Sequence, residues 1–257
     1  MIDVSAHLGP FAFRRLRHST PSGLLALMDR KRIDKAVVGS AAAIAYRNSQ
    51  AGNEDLAAEV KPHRDRLIPF AVLNPAYAGW EDDLKICHES YGMKGLRLYP
   101  RWHNYRLADP PCLELVRVAA ERGLLVSIPI RVEDRRQGSW LADIPDVGHD
   151  EIATLVKSVP RAKFIVANGN GFAGSPLGKA NNGLPPNYVI DLARLSAEGG
   201  NEIGQLLASL GEDRVVFGSG MPFQYPDPAL LNFDLLDAPE KVKERIRHGN
   251  AARLLGI

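Results

Sequence analysis

The sequence predicts a single α/β domain over residues 1–257, folded as a (β/α)8 TIM-like barrel. Three observations lead there. Short apolar runs alternate with amphipathic helical windows from one end of the chain to the other, as repeated strand–helix units around a parallel sheet require. The runs do not alternate cleanly between apolar and polar residues, as expected of strands covered on both faces. A length of 257 residues matches the roughly 250 of an eightfold barrel and is ample for one large core. An open doubly wound sheet is the rival. It calls for a glycine-rich turn after the first strand, and Gly9-Pro10 does not match a dinucleotide fingerprint.

Taken in order, Ile2 to His7 reads as the first strand. Thr20-Pro21-Ser22 supplies a cap and a proline at the first helical position, ahead of Leu24, Leu25, Leu27 and Met28. Lys35 to Ser40 is the second strand, with helix expected from Asn53 to Val60. Arg66 to Leu73 is the third strand, stopped by Asn74-Pro75. Trp80, Leu84 and Cys87 then recur at helical spacing within 79–90. Met93 to Tyr99 is the fourth strand. Asp109-Pro110-Pro111 opens the next helix and Gly123 closes it. The fifth strand spans 124–130, with helix over 149–159. The sixth spans 163–167. Residues 169–186 are rich in Gly, Asn and Pro and form the least regular helix slot. The seventh strand covers 188–193, helix follows over 202–210, and the eighth strand covers 214–217. A helix over 241–255 ends the series.

The formal net charge of +2 argues against a nucleic-acid partner, because acids and bases are interspersed. The stretch Arg14-Arg15-Leu16-Arg17-His18 is basic but short, with no aromatic platform for bases. Cys87 and Cys112 lie in helical apolar patterns and read as buried free thiols. No apolar run reaches the roughly 18 residues of a membrane span, and no basic-then-apolar leader precedes the first strand. The expectation is a soluble cytoplasmic protein with no membrane partner. Self-association into a homo-oligomer stays open.

Four segments carry a family resemblance. They are Ile2-Asp3-Val4-Ser5-Ala6-His7-Leu8-Gly9, the run from Gly92 to Pro100 (GMKGLRLYP), the run from Asp213 to Pro222 (DRVVFGSGMP), and the run from Gly249 to Gly256 (GNAARLLG). Their order and spread resemble the amidohydrolase-related proteins of the metal-dependent hydrolase superfamily. That branch includes decarboxylases of aromatic acids and lactonases of dicarboxylate metabolism. The resemblance implies metal ligands at the strand tips. The family's first strand carries His-x-His, but here Ser5 stands at the first position and only His7 keeps the second. At the other family positions stand Tyr99 (fourth strand), Pro129 (fifth), Asn168 (sixth) and Gly220 (last). A catalytic zinc site generally needs three protein ligands and an open position. A hydroxyl, a phenol, a proline, an amide and a glycine do not supply them, so neither a metal nor any other cofactor is expected.

What remains at that end is polar and basic. Strand parity places Arg97 and Tyr99 on one face, and Ser127, Pro129 and Arg131 on another. Arg101, Trp102 and Asn168 lie at strand exits. Together Arg97, Arg101, Trp102, Arg131 and Asn168 are the candidate binding residues for a small anionic ligand or substrate, since a guanidinium matches a carboxylate through two parallel hydrogen bonds. Each has a plainer reading, as an ion-paired, packing or loop-satisfying residue. His7 is the candidate acid–base group, with Asp3 to orient it and Tyr99 as a hydrogen-bond donor. Asp3 can equally sit deep and satisfy backbone donors. The expected function is a hydrolase or decarboxylase-like lyase of a small carboxylate or lactone, working without the family's metal centre. The alternative is a non-catalytic relative that binds a small anion or a protein partner.

Overall fold

The computed structural model describes residues 1–197 and 200–257. Eight parallel strands follow one another in chain order: β1 (Ile2–Leu8), β2 (Lys35–Ser40), β3 (Leu67–Val72), β4 (Gly95–Arg97), β5 (Leu125–Pro129), β6 (Lys163–Ala167), β7 (Tyr188–Asp191) and β8 (Val215–Val216). Beyond β8 the chain returns to β1: Val4 N–H donates to Phe217 O at 3.1 Å and His7 N–H to Met221 O at 2.8 Å. The sheet therefore comes close to a complete ring, and the barrel is the expected one. Strands β4, β7 and β8 are shorter than the sequence suggested. Their apolar runs continue past the paired residues of the ladder.

Helices surround the ring: α1 (Pro21–Lys31), α2 (Gln50–Val60), α3 (Trp80–Lys85), α4 (Pro110–Glu121), α5 (His149–Ser158), α6 (Glu202–Leu210), α7 (Asp227–Asp234), α8 (Glu240–Glu244) and α9 (Asn250–Leu255). Thr20 caps α1 by accepting from Gly23 N–H at 3.2 Å, a contact worth about 1 kcal/mol. Asp109 precedes Pro110 as expected, but its carboxylate accepts from Arg106 N–H at 2.8 Å instead of capping α4. Between β6 and β7 the Gly- and Pro-rich slot forms only two short turns, Phe172–Gly174 and Pro176–Gly178. Helix α7 was not anticipated. The single helix expected over 241–255 is α8, a π-turn at Arg245–Gly249, and α9.

Two apolar layers hold the fold. Ile2, Val4, Val37, Phe70, Ile165 and Val216 fill the inside of the ring, and Ala251 and Leu255 of α9 join that cluster from the N-terminal end. The larger layer lies between strands and helices and takes in Leu24, Leu115, Val156 and Leu206. Both cysteines are buried free thiols, pushed up to about 12 by burial. Among the described residues, no helix is long and apolar enough to cross a membrane.

One irregularity in β1 sets up the mouth of the barrel. Its register against β2 shifts between Asp3 and Ala6. A bulge of this kind bends a strand and disrupts its ladder. Arg97, from β4, reaches across the interior to that point. Its Nη1 donates to Ala6 O at 2.6 Å, and its Nη2 donates to Val4 O at 3.2 Å and Val37 O at 3.0 Å. Gly39 makes room, since a Cβ there would lie 3.0 Å from Arg97 Cδ.

Candidate functional site

The C-terminal ends of barrel strands are where such folds place their sites, and His7 stands there at the end of β1. Its Nε2 lies 2.9 Å from Tyr99 Oη. The imidazole is only 3 % exposed. The ring of Phe223 meets it edge-on at 4.9 Å, and Phe11 packs on Phe223 at 4.8 Å. Trp102 packs on Phe11 at 5.7 Å, with Phe13 beside both. This aromatic plug sits over the mouth. Burial, with the nearby Arg97 charge adding to it, holds His7 well below its usual range. His7 is therefore neutral at pH 7. Burial pushes Tyr99 up, so its phenol stays protonated.

Asp3 does not touch His7. Its Oδ1 accepts from Ser5 N–H at 2.9 Å and Ser219 N–H at 3.2 Å, and its Oδ2 accepts from the Ser219 hydroxyl. Burial raises its pKa. This is the deep, backbone-satisfying alternative that the sequence left open. Arg97 likewise lies within the barrel, 1 % exposed. Its terminal nitrogens are occupied by carbonyls, so a ligand anion does not meet them.

Asn168 adopts a left-handed conformation, φ 55°, and joins several strand tips. Its side-chain amide donates to Arg131 O at 2.6 Å and Val132 O at 3.2 Å. Its Oδ1 accepts from Arg194 Nε and Gln224 Nε2, both at 2.9 Å. Its backbone N–H donates to Asp191 Oδ1 at 2.8 Å. Asp191 and Arg194 were missed by sequence reasoning. The available signal was an acid at the tip of the Tyr188-Val189-Ile190-Asp191 run, followed three residues later by a base. Burial pushes Asp191 up to about 6, against the pull of the Asn168 N–H. Its Oδ2 has no hydrogen-bond partner.

A cavity open to solvent lies at the tips of β4 and β5, beside the loop of residues 130–148. It has a volume of about 360 Å³ and is lined by Tyr99, Arg101, Trp102, Pro129 and Arg131 among others. Four of the proposed site residues thus meet there: Tyr99, Arg101, Trp102 and Arg131. His7, Asp3, Arg97 and Asn168 do not line it. Arg101 is ion-paired with Glu151, and Arg131 with Asp146. Among the described residues, the Nε of each is buried without an acceptor. Acids also reach the wall, with Glu133, Asp143 and Asp146 facing the three arginines 101, 131 and 135.

The metal centre implied by the resemblance does not fit these residues. His7 is the only imidazole among the compared positions. Ser5 Oγ accepts from Gly220 N–H at 3.1 Å, Asn168 is fully engaged, and Asp3 is consumed by Ser5 and Ser219. No group of three or more His, Cys, Asp or Glu suited to a metal ion occurs among the described residues.

Comparison with known proteins agrees with this architecture. The chain is similar in fold to 2,6-dihydroxybenzoate decarboxylase from Rhizobium, at 19% identity and TM-score 0.74, covering 99% of this chain and 98% of that one. It is similar to 5-carboxyvanillate decarboxylase from Sphingomonas paucimobilis, at 18% identity and TM-score 0.72, covering 100% and 99%. It is also similar to a dihydroxybenzoic acid decarboxylase from Polaromonas sp. JS666, solved with bound manganese and the inhibitor 2-nitroresorcinol. That match has 16% identity and TM-score 0.73, covering 99% and 96%. At these identities the likeness shows the fold. No curated protein matches the chain in sequence. The Amidohydro_2 family profile (Amidohydrolase) matches residues 2–257. The chain belongs to the amidohydrolase family, as a member whose strand tips lack an evident metal-binding cluster among the described residues.

Proposed function

We propose that the protein binds a small aromatic carboxylate in the cavity at the tips of β4 and β5, as a family member without the metal-dependent hydrolytic chemistry. The observation that carries this reading is the pair of buried, unpartnered Nε–H donors of Arg101 and Arg131 on a wall that also holds Trp102 and Pro129. A buried donor without an acceptor costs about 1–3 kcal/mol, and a ligand carboxylate removes that cost. The indole of Trp102 offers a flat apolar face for a ring. The structurally similar decarboxylases are named for substituted benzoates, which supports that ligand class. Calorimetric titration with 2,6-dihydroxybenzoate tests the reading. Binding is expected, and Arg131→Ala is expected to weaken it about 10- to 100-fold, since a charge-assisted bond contributes about 1.5–3 kcal/mol. Absence of binding, or equal binding by the variant, refutes it.

One observation favours catalysis as a second reading. Tyr99 lines the cavity and also holds His7 through its hydroxyl. A proton at the cavity wall therefore has a route to a neutral imidazole through one phenol. Under this reading the protein is a hydrolase or lyase of a carboxylate or lactone. Turnover that Tyr99→Phe abolishes while ligand affinity persists identifies it. Binding without turnover in the native protein leaves the first reading standing.

A further inference from the structure

A second cavity lies at the opposite, N-terminal end of the barrel, between the starts of β6, β7 and β8 and the plug helix α9. Its volume is about 780 Å³. Arg161, Lys163, Arg214 and Arg253 line it, with Glu212 and Asp213. The two acids are already held by Arg245, at 2.7 and 2.8 Å, and Asp213 also meets Arg253 at 3.5 Å. Among the described residues, Arg161, Lys163 and Arg214 have no ion-pair partner, so the wall carries an excess of positive charge.

Arg214 is built into the fold. Its guanidinium lies 4.1 Å from the centroid of the Tyr188 ring, and its Nε donates to Tyr188 O at 2.6 Å. Its Nη2 is buried without an acceptor. Asn187, on the same wall, has the complementary vacancy. Its amide nitrogen donates to carbonyls of Val159, Pro160 and Ala162, at 3.4, 3.3 and 2.8 Å. That fixes the orientation of the amide and leaves Oδ1 as a buried acceptor without a donor. The cavity thus offers fixed cations, one orphan donor and one orphan acceptor.

We propose that this cavity binds a hydrogen phosphate group. Its anionic oxygens would take the Arg214 Nη2–H and the charges of Arg161 and Lys163, and its P–OH would donate to Asn187 Oδ1. Sulfate carries the same charge at neutral pH but no proton to donate, so the acceptor discriminates between them. A ligand here ties the starts of β6–β8 to the helix that plugs the ring, and it stabilises the folded state by mass action.

Thermal melting of the whole protein at pH 7 and matched ionic strength, in inorganic phosphate, sulfate or chloride, tests the proposal. Phosphate is expected to raise Tm by about 3–6 °C once it exceeds Kd about tenfold, and then by a constant increment per tenfold of concentration, and sulfate to do so at least tenfold less effectively. The Arg161→Glu/Lys163→Glu variant changes exposed side chains and retains the fold. It should lose the phosphate shift, while Arg15→Ala/Arg17→Ala, on the basic loop at the other end, should keep it. Phenyl phosphate, whose second pKa of about 6 leaves it mostly without a P–OH at pH 7, should bind more weakly than phosphate, and tighter binding overturns the role given to Asn187. A shift that survives the 161/163 reversal, or equal potency of sulfate, overturns the proposal.

Discussion

Replacing Asp191 by Asn isolates one buried charge whose energetic sign is fixed by the structure. Asp191 is 0 % exposed at the end of β7. Its carboxyl rises from 3.8 to about 6, chiefly through burial. A shift of roughly two units corresponds to about 3 kcal/mol, at about 1.4 kcal/mol per unit. Below pH 4 the group is protonated in both folded and unfolded chains and contributes no pH dependence. Between pH 4 and 6 the unfolded chain ionises first, so stability falls as pH rises. Above pH 6 the full penalty is present. His7 acts in the opposite sense: its folded pKa is depressed below 6.5, so its contribution is lost as pH falls through that value. A wild-type curve alone mixes the two, and the difference from Asp191→Asn separates them. Asn keeps an acceptor for Asn168 N–H and presents an amide where Oδ2 lacks a partner. Urea unfolding from pH 4 to pH 7.5 should show the variant gaining on the wild type by about 3 kcal/mol across that range. A gap that stays constant, or narrows as pH rises, refutes the argument that burial controls this carboxyl.

Two further outcomes follow from the interior, and one from the mouth. Arg97→Met leaves the carbonyls of Val4, Ala6 and Val37 without their donor. It should cost about 3–5 kcal/mol in urea unfolding while the folded fraction keeps its affinity for an aromatic carboxylate. Gly218→Ala places a Cβ against Asp191 Oδ2 and Ser5 Oγ. It should cost about 1–3 kcal/mol and lower Tm measurably by calorimetry. Adding zinc to protein stripped with a chelator should leave Tm unchanged, since a site holding the ion in the folded state would raise it.

The ring of strands was legible because alternation of apolar runs with helical windows is set by local composition over most of the chain. Strand parity put Arg97 on the same face as Tyr99, and Arg97 was expected to bind a ligand anion, whereas it lies buried against backbone carbonyls. Its partners were not legible, because they are carbonyls at a β1 bulge that no residue type announces. The same limit applies to the plug. Phe11 and Phe223 come from loops more than two hundred residues apart, and their meeting over His7 depends on near closure of the ring. Asn168 read as a loop amide. Only the left-handed backbone and the neighbouring tips of β5 and β7 turn it into a junction. Arg101, Trp102 and Arg131 were found together because they follow adjacent strands, and adjacency survives from sequence into space.

Residues at or next to the strand tips where the resemblance implies metal ligands bond to one another and to neighbouring strand tips. Ser5 accepts from Gly220 N–H at 3.1 Å, and Ser219 donates to Asp3. Asn168 connects the exits of β5, β6, β7 and the loop after β8. Gly218 allows Asp191 and Ser5 to approach to where a side chain would otherwise stand. Ser5 and Asn168, at two of the positions where the resemblance implies metal ligands, thus satisfy neighbouring strand tips. Together with the aromatic rings above His7, they convert the centre of the mouth into packed interior. At the tips of β4 and β5 the long 130–148 loop leaves a cavity, and there two guanidinium N–H groups lack acceptors among the described residues. The packed centre of the mouth and the absence of a metal-binding cluster among the described residues thus involve the same strand tips.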